Sequence, residues 1–110
     1  MKNSLLVLFV FFIQFSSCKN YDKEVHKNIG KNYTYCGKVE EVFLSRSHAF
    51  LNFGGKYPNQ KFTGYLPSQG RNFSYDIKSL EGEEICITGK VEIYRGRAEI
   101  VITDEKQIQF

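Results

Sequence analysis

Two groups of side chains in this chain of 110 residues have types and spacing suited to chemistry. The first is sulfur. Cys36 and Cys86 are two thiols that can pair in an oxidising compartment, or they are two separate buried thiols; Cys18 stands alone near the start, directly behind Ser16 and Ser17. The second is a set of rings and cations. Phe50 and Tyr65 can stack on flat ligands, Asn52 can hydrogen-bond, and Arg46, Lys61, Arg95 and Arg97 can meet phosphates. Single-stranded nucleic acid needs both rings and cations. No catalytic arrangement is expected. His26 and His48 are isolated, and no Cys/His spacing suits zinc, so no metal ligand is expected. Glu40-Glu41 and Glu83-Glu84 are adjacent, and adjacent strand residues point to opposite faces. Gly54-Gly55-Lys56 lacks the spacing and following helix of a phosphate loop. The expectation is a non-enzymatic protein without a cofactor.

The surroundings of Cys18 set the compartment. Lys2 gives a cationic start, Leu5 to Ile13 is an apolar run, and Phe15-Ser16-Ser17 leads into Cys18. These are the parts of a secretory signal, and the run is too short for a stable membrane span. Ser16-Ser17-Cys18 resembles a bacterial lipobox, with Phe15 where Leu is usual. That resemblance implies lipid on the Cys18 sulfur, cleavage before it, and a mature protein held at a membrane in the bacterial cell envelope, periplasmic or surface-facing. Ordinary secretion with an incidental cysteine is the alternative.

The expected organisation is a signal over residues 1–17, a tether over 18–32 and one small domain over 33–110. Lys2 leaves with the signal, so fourteen Lys and Arg face twelve Asp and Glu. That balance is too mild to imply nucleic-acid binding by itself.

The elements that must position these groups are strands. Tyr33 to Ser45 alternates, but its phase changes midway: Tyr35, Gly37 and Val39 share one parity, Val42 and Leu44 the other. A bulge near Glu40-Glu41 reconciles them. Ala49 to Phe53 alternates again, Gly54 to Asn59 is a loop, and Lys61 to Leu66 forms a third strand. Phe73, Ile77 and Leu80 fall at helical spacing, with Gly82 placed to end a helix. Glu84 to Tyr94 and Arg97 to Thr103 follow as two strands joined at Arg95-Gly96. The expected fold is all-β: a five-stranded OB-fold Greek-key barrel with one short helix between the third and fourth strands. In that topology the first and fourth strands pair, which places Cys36 and Cys86 outside on neighbouring strands; a disulfide between them is the expectation, with the register left open.

The stretch Phe50 to Thr63 resembles small exported bacterial OB-fold domains, and Ile87-Thr88-Gly89-Lys90-Val91 with Tyr94-Arg95-Gly96 is similar to the ending of OB-type nucleic-acid-binding domains. The resemblance covers about residues 35–110 and carries no catalytic motif. OB folds bind across strands two and three, flanked by the loops that join strands one–two and four–five. On that surface Phe50, Asn52, Lys61 and Tyr65 face outward, with Arg46 in the first loop and Arg95 and Arg97 in the last hairpin. The expected partner is single-stranded DNA or RNA. The alternative is a protein or glycan of the envelope.

Overall fold

The computed structural model describes residues 24–110; the expected signal, Cys18 and the first part of the expected tether lie outside the described residues. The fold is all-β. Six strands run β1 (Asn32–Leu44), β2 (Ala49–Phe53), β3 (Phe62–Leu66), β4 (Glu84–Tyr94), β5 (Arg97–Val101) and β6 (Ile108–Gln109). The sheet order is β1-β2-β3-β5-β4-β6, and β1 also pairs with β4. Those contacts make a ring of pairings, β1–β2–β3–β5–β4–β1, antiparallel except where β3 lies parallel to β5.

The first strand makes the ring possible. Asn32 to Lys38 pair with β4, while Val39 to Leu44 pair with β2. The register shifts between Val39 and Glu41, so the expected bulge sits at Glu40. The extra residue lets Val39 and Val42, of opposite parity, both enter the core. At this corner side chains take over from the ladder. The Val42 amide donates to Glu81 Oε2 at 2.9 Å, and Lys78 Nζ donates to the Val42 carbonyl at 3.0 Å. The Val42 amide is the first cause that holds the Glu81 carboxyl below the ordinary carboxylate range.

Alternation then builds the interior. Leu51 and Phe53 from β2, Phe62 and Leu66 from β3, Ile85, Ile87 and Val91 from β4, and Ile100 with the following Ile102 are all buried. Apolar area removed from water at ~25 cal/mol per Å² is the main force holding this ring shut. Gly89 lies inside this face, where a Cβ would come within 2.8 Å of both Ile100 Cγ2 and Gln107 Nε2. Gln107 needs that space. Its Nε2 donates to the Thr88 and Val101 carbonyls at 2.9 and 3.0 Å, and its Oε1 accepts from the Thr103 and Asp104 amides at 2.8 and 3.0 Å. One amide side chain thereby fastens the C-terminal turn, and β6 follows it onto β4.

Three expectations shift. The helical spacing of Phe73, Ile77 and Leu80 yields only a 3-10 turn over Ile77–Leu80, capped by Asp76. Ser68, Gly70, Asn72 and Ser74 favour turns ahead of it, and burial of Ile77 and Leu80 suffices to plug the ring. The ordered domain begins before Tyr33, because Val25 is buried in the core. Backbone bonds from Gly30 to the Val91 carbonyl and from Val91 to the Lys31 carbonyl hold that segment. The sixth strand was not anticipated, since two residues carry no periodicity.

Cys36 stands directly opposite Cys86 in the β1–β4 register, and the two form a disulfide. It lies outside the core, as strand parity requires, next to a Thr34–Thr88 hydroxyl contact of 2.8 Å. Closing a loop with a sequence separation of 50 removes chain entropy worth about 4 kcal/mol in the unfolded state. Replacing both cysteines with serine is expected to lower stability by ~2–4 kcal/mol in denaturant titrations, with the far-UV β signature retained. Two freely alkylatable thiols in native protein would refute the bridge.

Candidate ligand-binding groove

Outside the core, the outward positions of β1, β2 and β3 carry rings that lie next to one another. Phe43 faces Phe50 in the β1–β2 register, and Phe50 faces Tyr65 in the β2–β3 register. Two loop residues extend the line. His48 lies 5.4 Å from Tyr65 between ring centroids, Tyr65 5.3 Å from Phe50, Phe50 6.0 Å from Phe43, and Phe43 6.2 Å from Tyr57. Neighbouring planes differ by 28–33°. The result is a continuous strip of five rings crossing three strands. Tyr65 Oη and His48 Nδ1 share a 2.7 Å hydrogen bond, which fixes that end.

The bulge positions the other end. It turns Glu41 toward the β2–β3 loop, where Oε1 accepts from Asn52 Nδ2 at 3.0 Å and from the Tyr57 amide at 2.9 Å. The Tyr57 amide bond is the first cause that holds the Glu41 carboxyl below the ordinary carboxylate range. Arg97 fastens the same loop from across the groove, donating to the Pro58 and Gln60 carbonyls at 3.0 and 3.2 Å.

The β4–β5 hairpin forms the facing wall. Arg95 and Gly96 both take positive φ, 51° and 78°, as the central pair of a tight hairpin turn requires. Arg95 lies 5.3 Å over the Tyr94 ring. Between strip and wall lies a groove of about 530 Å³, lined among others by Phe43, Phe50, Tyr57, Tyr94, Arg95 and Arg97.

The expected residues divide. Phe50, Tyr65, Arg95 and Arg97 converge on this face. Asn52 borders the groove but is only 1 % exposed, and its amide is committed: Nδ2 to Glu41 and Oδ1 to the Thr63 hydroxyl at 3.3 Å. Lys61 precedes β3, sits beside Gly54, and lines a separate cavity with Val25, His26 and Tyr35. Arg46 is exposed in the β1–β2 turn, where its carbonyl accepts from Gln69 Nε2 at 3.3 Å, and it does not line the groove. The expected cationic surface is thus reduced to two arginines.

Phe43, Tyr57 and Glu99 join the site without having been anticipated. Phe43 was hidden by the phase change of β1. Tyr57 sits in a loop, where alternation says nothing. Glu99 was readable as an outward residue of β5 alongside Arg97, but its depth was not. Burial first, and then Glu92 across the β4–β5 ladder, push its carboxyl up to about 7. Burial, Glu99 and Tyr94, in that order, also push the Tyr65 phenol up. No group of three or more His, Cys, Asp or Glu suited to a metal occurs among the described residues.

No protein-family model matches the chain, and no curated protein matches it.

Glu99 makes the fold sensitive to pH. Its folded pKa lies above the ordinary carboxyl value, so between about 4.5 and 7 the folded protein holds a proton that the unfolded chain releases. Its contribution is therefore full below that window and is lost as pH rises through it. Glu99→Gln is expected to raise the unfolding midpoint at pH 8 by roughly 4–8 °C. That corresponds to ~1 kcal/mol in a domain of this size, after discounting for the solvent on one side of the carboxyl. Little change is expected at pH 4. An equal shift at both pH values would show that ionisation is not the cause.

Proposed function

We propose that this chain is a non-enzymatic OB-fold binding module, tethered to a membrane of the bacterial envelope through Cys18, whose groove holds single-stranded nucleic acid. The ring of pairings β1–β2–β3–β5–β4, with a short helical turn between β3 and β4, supports the OB assignment. So does the position of the groove, over β2 and β3 and bounded by the β4–β5 hairpin. The observation that carries the functional reading is the strip His48–Tyr65–Phe50–Phe43–Tyr57. A line of half-buried to exposed rings offers successive stacking places to bases whatever their sequence, and each such contact is worth ~1–3 kcal/mol. Arg95 and Arg97 on the opposite wall are placed for phosphates. The tether rests on Ser16-Ser17-Cys18, outside the described residues.

One observation favours a second reading. Glu92 and Glu99 are cross-strand neighbours on the same wall, and two carboxyls oppose a polyanion. A glycan or envelope protein would stack on the same rings without needing net positive charge.

Labelled oligonucleotides, titrated against the full chain in non-ionic detergent and followed by anisotropy, separate the two. Nucleic-acid binding is expected to weaken with salt, and Phe50→Ala to cost roughly 5- to 150-fold in affinity. Removing Arg95 and Arg97 together is expected to flatten the salt slope by about 1.4. Absence of binding at low salt, or binding indifferent to salt, overturns the nucleic-acid reading and leaves the glycan or protein one. Separately, Cys18→Ala is expected to release the protein from the membrane fraction or leave it unprocessed; unchanged anchoring would overturn the lipid tether.

A further inference from the structure

We infer that Glu99 is a base-reading residue: in the pocket that it shares with His48, Phe50, Tyr65 and Tyr94, its carboxylate pairs with the N1 imino and N2 amino groups of a guanine stacked against these rings. The inference rests on the nucleic-acid reading above and assigns that site a base preference.

Three carboxyl side chains are half-buried among the described residues: Glu41, Glu99 and Glu105. Two of them accept hydrogen bonds within the protein. Glu41 accepts from Asn52 and from the Tyr57 amide. Glu105 accepts from the Ser74 amide at 2.6 Å and from its hydroxyl at 2.8 Å. The Glu99 side chain has no hydrogen bond and no ion pair among the described residues, although Arg97 lies two residues before it on the same face of β5. Arg97 spends two of its donors on the Pro58 and Gln60 carbonyls. The carboxyl is half-buried, keeps contact with solvent and takes no donor from the described residues, so both oxygens are free to accept from a ligand. Its placement in a ring-lined pocket marks a site that a ligand completes.

The pocket defines the donor. It measures about 140 Å³ and is lined by His48, Phe50, Tyr65, Tyr94 and Glu99. Rings on several sides suit a flat heterocycle, and the carboxyl at its edge presents two acceptor oxygens. Guanine offers an imino and an amino N–H side by side, a planar fork that a carboxylate accepts in two parallel bonds, as it accepts an arginine. Adenine and cytosine place an acceptor beside their amino group. Thymine and uracil flank one imino with two carbonyls. Glu99, which repels phosphate, therefore selects guanine by its edge, while Arg95 and Arg97 meet the backbone farther along the wall.

The test uses the full chain in non-ionic detergent at pH 8 and two labelled probes. One is a nine-residue thymidine strand; the other is the same strand with its central base changed to guanine. The guanine strand is expected to bind ~5- to 150-fold more tightly, the discrimination that a good bidentate pair supplies. Glu99→Gln is expected to bring the ratio of the two affinities to within about twofold, with circular dichroism reporting that the fold is intact. Equal affinity of the wild-type chain for both strands overturns the inference and leaves the groove reading standing. A ratio that survives in Glu99→Gln removes Glu99 as the reader. Failure of both strands to bind overturns the inference together with the reading beneath it.

Discussion

Strand β1 must pair with β4 over its first half and with β2 over its second, and the rest of the molecule depends on that change of partner. A regular strand cannot do this without sending one half of its apolar residues outward. The extra residue at Glu40 resolves the conflict by resetting the alternation between Val39 and Val42. The corner this creates leaves ladder groups to be satisfied by side chains, and Glu81 and Lys78 do so at Val42. The same bulge aims the Glu41 side chain at the Tyr57 amide. One backbone irregularity thus closes the ring and also holds one end of the aromatic strip.

Much of this was legible in the residues. Alternation located β1 to β5 and their buried faces, because in a small closed sheet the inward positions must be apolar. The phase change in β1 located the bulge, and strand parity put both thiols outside on neighbouring strands. What escaped depends on long-range packing. Asn52 has outward parity, so it read as available. Its burial follows from Glu41 and Tyr57 closing over it, which no local pattern encodes. Val25 lies in a polar segment and is buried only because Gly30 and Lys31 bond to Val91 across the molecule. Arg46 and Lys61 carry the right charge, but charge does not specify direction, and both lie off the groove. Gln107 is polar and near the end of the sequence, yet its side-chain hydrogen bonds close the last turn.

The groove is of mixed character. Its floor is aromatic, and its wall holds Arg95 and Arg97 beside Glu99, with Glu92 across the ladder. Arg97 is also a fastener of the β2–β3 loop, so its charge and its structural role are not separable by a single truncation. On the proposed reading, stacking area is the larger source of affinity, and the opposed charges act mainly on which ligand is admitted.

The Cys36–Cys86 bridge has a mechanical consequence. Tension applied between the two ends of the chain follows the covalent route from Cys36 across sulfur to Cys86, and residues 37–85 hang from that route as an unloaded loop. All five members of the aromatic strip belong to that loop. A pull on the two ends would strain β1, β4 and the segments outside the bridge while those rings stayed in register.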